Sequence, residues 1–523
     1  MSWSHQTALA RIQKHQQSVP QADITVENFT DFLAGRRRMA EAAHRLGTTP
    51  EPIWRVGRNR AVTTYAVHVY ANLMDFNDAL IEAGRETEAS HERALQLLHL
   101  HYGACDALIE AFDVQRVDFH GARLHAVVLT PAGPDREAER IAKALAFGAA
   151  LIQMVDQAGR RYGDDLRTRV RIGLDSGAAV AINSGTRGEP DPLFVGSPAN
   201  HAAHLADGDE PGVYVSERIE RARRMGQPYA SEGTYRLHDE VVASAFQGSI
   251  DVRGAELGGV GRFDRAFAQF VADRDAMKAA TGGLRPASFA FHYRAPPLRT
   301  LDFADHPPSR AIRMPVVSVF ADIAGYTRYV DEAIRTGRVA EAVANLYILR
   351  AEMADVLQKD FGGRKVRFIG DCLHGLIAEG DARQTHSRDS VRQAVLAASG
   401  IRSSFELCLK LLPGLGDLEG VAIGIELGQT PICRIGLAGD ASVRCSASKA
   451  TCLSEAIQQG CSGHETAIGD RAFAEGDARV RHLFGDSHCV PGLTYEAAEA
   501  QLAGVCSPAV VSWQPPMEAH SSS

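Results

Sequence analysis

Two aspartates carry the first legible chemistry. Asp322 closes an apolar, β-type run over 316–321 and is followed by Ile323, Ala324 and Gly325, a tight-turn signal. Asp371 comes 49 residues later in Ile369-Gly370-Asp371, between two apolar runs, which predicts a hairpin turning at Gly370-Asp371. Between them, 328–360 carries Val343, Leu346, Tyr347, Leu349, Met353 and Leu357 mostly three or four apart, which predicts a helix. Strand, helix and hairpin make the first half of a ferredoxin-like βαββαβ unit. There the second hairpin strand lies antiparallel beside the first strand, so the strand end and the hairpin turn become neighbours. Two carboxylates meeting at such an edge repel unless a cation sits between them. Hard divalent cations take carboxylate oxygens and commonly carry phosphate oxygens as further ligands. Singly, Asp322 would read as a helix cap and Asp371 as a turn residue; the pairing is what points to metal-assisted phosphate chemistry.

These residues resemble the class III nucleotide cyclases, the adenylate and guanylate cyclase family. The family pattern, Phe-x-Asp-Ile-x-Gly-Phe-Thr and later Ile-Gly-Asp, is matched by 320–327 and by Ile369-Gly370-Asp371, with Tyr326 where the family usually has phenylalanine. An internal repeat extends the resemblance. Residues 117–125 align with 366–374 without a gap, 69–73 with 319–323, and 171–177 with 422–428. The implied fold is α+β: two ferredoxin-like βαββαβ cyclase-type domains in tandem. In the first copy Asn72 and Ala122 stand where the second has Asp322 and Asp371.

Family active sites lie between two domains, one bringing the metal aspartates and the other an asparagine and an arginine on a helix beginning near a glycine. In the first copy Gly196, Asn200 and His204 hold that register, with histidine in the arginine position. The second copy has Ser446, Ala450 and Ser454 there. The resemblance therefore implies one site built within the chain: two Mg²⁺ or Mn²⁺ ions on Asp322, Asp371 and the Ile323 carbonyl, faced by Asn200 and His204, with a homodimer as a further possibility. It implies cyclisation of a nucleoside triphosphate, with pyrophosphate leaving.

At the positions that read the base in this family, the first copy has Asp118 and Leu193, which fit neither the adenylate nor the guanylate pattern. An aspartate accepts from uracil N3–H, the cytosine amino group or guanine, but offers nothing to adenine N1. Tyr326 adds a hydroxyl near the expected nucleotide, and Arg253, in Val252-Arg253-Gly254, is a candidate triphosphate cation. The resemblance extends to the pyrimidine cyclases of the Pycsar anti-phage systems, which implies cyclic UMP, or else cyclic CMP, read by a separate cyclic-nucleotide-sensing effector. A conventional adenylate or guanylate cyclase and a degenerate nucleotide-binding regulatory module stay open beside it.

The elements that must position these residues follow. The 523 residues suffice for two or three domains. The division expected is a helical leader over 1–55, a cyclase-like domain without metal aspartates over 56–275, a Pro-rich linker over 276–312, the aspartate-bearing domain over 313–503, and a mobile tail over 504–523. Leader helices are expected over 8–16 and 26–46, with Arg36, Arg37 and Arg38 on a solvated face. No apolar run reaches membrane-spanning length and no signal-peptide pattern opens the chain, which predicts a cytoplasmic protein without a membrane partner. The net charge of −8 argues against a general nucleic-acid surface. Nine cysteines without Cys-x-x-Cys pairs indicate neither a zinc site nor a disulfide framework. His125 and His374, each following a leucine, are expected to pack or face solvent.

Overall fold

The computed structural model describes residues 2–19, 21–45, 56–57, 59–183, 192–223, 226–228, 233–247, 259–281, 288–436 and 442–503. Arg253 and the 504–523 tail lie outside them. The chain opens with α1 (His5–Ser18), β1 (Thr25–Asn28) and α2 (Phe29–Arg45). The first half continues through β2 (Arg60–Leu73), α3 (Phe76–Ala79), α4 (Glu88–Ala111), β3 (Gln115–His120), β4 (Arg123–Val128), α5 (Glu137–Tyr162), β5 (Val170–Asn183), β6 (Pro192–Val195), α6 (Ser197–Leu205) and β7 (Gly212–Ser216). It closes with α7 (Glu217–Arg223), β8 (Gly226–Pro228), β9 (Thr234–Leu237), α8 (Asp239–Gln247) and α9 (Gly259–Thr281).

The second half runs β10 (Phe291–His292), β11 (Ala311–Ala324), α10 (Tyr326–Thr336), α11 (Val339–Asp355), β12 (Arg364–Ile369), β13 (Cys372–Ile377), α12 (Ser387–Leu411), β14 (Gly420–Ile435), β15 (Val443–Ser446) and α13 (Lys449–Gln459). It ends with β16 (Glu465–Ile468), α14 (Asp470–Glu475), α15 (Ala478–Phe484), β17 (Cys489–Pro491) and α16 (Tyr495–Ala503).

The first sheet has the order β3-β4-β2-β5-β7-β9-β8 and the second β12-β13-β11-β14-β16-β17. In each, the first four strands of that order follow the ferredoxin-like arrangement, with the hairpin beside the opening strand. Register fixes which side chains share a face, because alternate residues of a strand point to opposite faces. Ala321 pairs with Leu373, and both belong to the core under the helices. Phe320, opposite His374, turns to the other face and stacks on that ring at 4.4 Å. The first half repeats the device: Tyr70 lies opposite His125 and stacks on it at 4.2 Å. Both histidines are buried, as packing residues.

The two halves clasp each other. Val180, Ile182, Leu193 and Val195 of the β5–β6 hairpin belong to the apolar core of α10, α11 and α12. Reciprocally, Cys433, Ile435, Val443 and Cys445 of β14–β15 belong to the core of α4 and α5. Helix α1 joins the clasp. Ser4 caps it, and its apolar face, Ala8 and Ile12 with Trp3 before it, is buried on the second half. Trp3 Nε1 donates to the Ser404 hydroxyl, and Arg11 pairs with Glu352 at 2.8 Å and Asp360 at 2.7 Å.

Two expectations are corrected. Residues 25–28 are a strand parallel to β2, so Val26 opens no helix and α2 begins at Phe29. The helix expected over 328–360 is broken at Gly337, whose φ of +74° ends α10; α11 then closes in a π-turn over Val356–Asp360. Of the basic run, Arg37 and Arg38 are exposed while Arg36 lies over the Phe32 ring. Residues 276–281 continue α9, and Leu298, Leu301 and Phe303 after it pack on Ile312 and Met314. No helix among the described residues is long and apolar enough to cross a membrane.

Candidate active site

β11 delivers Asp322 near its C-terminal end, and Gly325 at φ +83° then turns the chain into α10, as only glycine does readily. The β12–β13 turn at Gly370, φ +63°, presents Asp371. Extending the β11–β13 register beyond Ala321–Leu373 sets Asp322 opposite Cys372 and Ile323 opposite Asp371. The Cys372 side chain pulls Asp322, and the Ile323 backbone pulls Asp371, back toward the anion. Within a strand, one residue's N–H and C=O point to the same side, so the Ile323 carbonyl also faces the Asp371 turn.

Both carboxyls are disfavoured as anions. Burial pushes Asp322 up to about 6. Asp371 rises well above the carboxylate range, through burial first and the Asp322 charge second, with Arg350 pulling the other way. Arg350, on α11, lies over the Phe368 ring at 4.1 Å. The site thus gathers two half-buried carboxylates that work against each other as anions, the situation a divalent cation relieves.

From the first half, α6 carries Asn200 and His204, four apart and so on one face, both exposed. Between them His201 bonds buried Asp175 at 3.1 Å, and this hydrogen bond raises its pKa. Asp118, on β3, is engaged: its Oδ2 accepts from Arg367 Nη1 at 2.8 Å and its Oδ1 from the Phe119 N–H. Arg367 is buried and also donates to the carbonyls of Phe119 and Arg444. This cross-half ion pair was invisible in the sequence, although Arg367 occupies the same place before Gly370 that Asp118 occupies before Gly121. Leu193 offers no polar group and is buried in one apolar cluster with Tyr326. Tyr326 itself is 3% exposed and packs on Tyr329.

No family model matches the chain. A uridylate cyclase of a Rhizobium species is 45% identical over 491 residues, covering 92% of each chain. A uridylate cyclase of Pseudomonas aeruginosa is 32% identical over 509 residues, covering 96% of this chain and 91% of that one. The chain belongs to the uridylate cyclase family. A solved structure described as a class III adenylyl cyclase-like ATP-binding protein from Pseudomonas aeruginosa matches this family member at a TM-score of 0.82 and 31% identity, over 96% of this chain and 100% of that one. The tandem class III cyclase-like fold expected from the repeat is therefore the fold of this uridylate cyclase family member.

Proposed function

We propose that the protein converts UTP to 3′,5′-cyclic UMP and pyrophosphate at one site built between its two halves. The observation that carries this reading is the half-buried pair Asp322 and Asp371, in a chain that shares over 90% of its length with relatives named uridylate cyclase. The donor set fits two hard dications: two carboxylates and a strand carbonyl, in surroundings that disfavour the carboxylates' charge without a counter-ion. Asp322, Asp371 and Ile323 would hold Mg²⁺ or Mn²⁺, which when bound supplies charge neutralisation of the triphosphate and acidifies the ribose 3′-hydroxyl. The 3′-oxygen attacks the α-phosphorus in line and the bond to the bridging oxygen breaks, releasing pyrophosphate. Asn200 orients the nucleotide from α6, and His204 donates to the α-phosphate oxygens as charge grows there. Asp118, an acceptor paired with Arg367, takes the uracil N3–H, while Leu193 and Tyr326 give the base an apolar wall.

Pairing within one chain is favoured because asparagine and aspartates are divided between the halves: Asn200 in the first, Asp322 and Asp371 in the second. The product acts as a cytoplasmic signal for a separate cyclic-nucleotide-sensing effector in anti-phage defence, a role the Pycsar resemblance supports. The test is a product assay: purified protein with ATP, GTP, CTP or UTP and Mn²⁺, beside Asp322→Ala, with products identified by mass spectrometry. Cyclic UMP lost in the variant is expected. Cyclic AMP or GMP instead would keep the chemistry and discard the base assignment.

A further inference from the structure

The helix that carries Asn200 and His204 lacks a cap of its own. Its N-cap residue is Gly196, with no side chain to offer, and Pro198 follows in the first turn. The Ser197 N–H is instead satisfied from the other half: Asp331 Oδ1 accepts it at 2.9 Å. Asp331 lies on α10, the helix that leaves β11 directly after Asp322. A single path thus runs from Asp322 through the start of α10 to Asp331, across one charge-assisted hydrogen bond to Ser197, and along one helical turn to Asn200.

The mirror contact differs in one respect. On the opposite side Glu86 Oε1 accepts the Lys449 N–H at 2.7 Å at the start of α13, which corresponds to α6. But α13 is also capped from within, by the Ser448 hydroxyl accepting from Thr451 N–H. The helix without asparagine and histidine is self-capped, and the one that carries them takes its N-terminal acceptor from the aspartate-bearing half. A carboxylate at a helix N-terminus is favoured by the unsatisfied N–H groups and the helix dipole together.

We propose that Asp331 is a positioning residue, whose grip on the Ser197 N–H sets where Asn200 and His204 stand relative to Asp322 and Asp371. This rests on the function proposed above. The test measures kcat and KM for UTP, melting temperature, and amide exchange across 199–204 in Asp331→Ala, Asp331→Asn and Glu86→Ala. Expected for Asp331→Ala is a kcat at least tenfold lower with KM little changed, and faster exchange in α6. Asp331→Asn keeps an oxygen that accepts from Ser197 and retains a third or more of kcat. Glu86→Ala loses a comparable contact, and melts at least as early as Asp331→Ala, yet keeps kcat within twofold. A kcat unmoved in Asp331→Ala, or lowered equally in Glu86→Ala, overturns the positioning role. A wild-type protein that makes no cyclic nucleotide overturns the function instead, and faster α6 exchange in Asp331→Ala would still support the grip.

Discussion

The same strand, hairpin and facing helix occur twice in this molecule and end in opposite charge. In the second half the register sets Asp322 and Asp371 together with Cys372 beside them, and nothing in the turn itself neutralises the pair. In the first half Asn72 and Ala122 take those places and Arg123 stands where Cys372 does. Arg123 pairs with Glu455 and with Asp207, both at 2.8 Å, and His120 lies 3.4 Å from Glu455. The group of Asn72, His120, Arg123, Thr451, Cys452 and Glu455 lines a cavity of about 220 Å³. One half is left short of positive charge and the other carries its own. Without the two aspartates the first half still closes its own charge circuit, with Arg123 and a carboxylate from the opposite helix.

The sharpest way to break this contrast is to remove an aspartate. Asp371→Asn should lower cyclic UMP formation by about 10³-fold or more, as expected when metal stabilisation of a phosphoryl transition state is lost. The mirror change Ala122→Asp should leave turnover within twofold; an equal loss would mean that the halves are not specialised. Next in size, Asn200→Ala should cost about 10²-fold in kcat, the scale of one transition-state donor, and a change confined to KM would argue for simple binding.

Glu455→Gln probes the other half through stability. Against its burial, His120 and Arg123 hold the Glu455 carboxyl down to about 2. A lowered carboxylate contributes stability that is present above its unfolded value near 4.5 and lost as pH falls toward 2. Denaturant melts should show up to ~3 kcal/mol less stability at pH 7 for the variant, narrowing toward pH 2, with kcat within twofold. A gap independent of pH would place the loss in packing instead. The smallest effect belongs to His201. Its raised pKa contributes stability that is full below the unfolded value near 6.5 and lost as pH rises through the folded one. Half exposed, it should be worth under ~1 kcal/mol. His201→Asn should therefore be less sensitive than the wild type to a change from pH 6 to pH 8, and equal slopes would remove the Asp175 bond from the account.

Much of this contrast was written locally. Asp322, Asp371, their β-type flanks and the repeat depend on residues within one turn or strand of each other, so the sequence displays them. The facing helix of the second half is misread by two residues, because the structure sets Ser448, Cys452 and Ala456, not Ser446, Ala450 and Ser454, where the first half has Gly196, Asn200 and His204. What escaped depends on partners far along the chain. Arg367 reads as one more charged strand residue until Asp118 arrives opposite it. The polar composition of 1–17 hides Trp3, Ala8 and Ile12, because an amphipathic helix shows its partner only when docked. The periodicity over 328–360 survives the break at Gly337, since α10 and α11 bury their apolar faces in the same core. Val26 sits in a strand because β2 offers it an edge, and that tertiary pairing overrides its own neighbours' preference.

The docking of α1 has a consequence for how the chain is made. Trp3 meets Ser404, 401 residues away, and its ring lies 5.2 Å from that of Tyr495. At synthesis rates of about 5–20 residues per second, the first helix waits roughly 20–80 s for Ser404 to be synthesised. Until α11 and α12 have both been made, its apolar stripe lacks part of its docking surface. A chain that stops before α12 leaves Trp3 without Ser404 and Tyr495 and leaves the aspartate-bearing half unfinished.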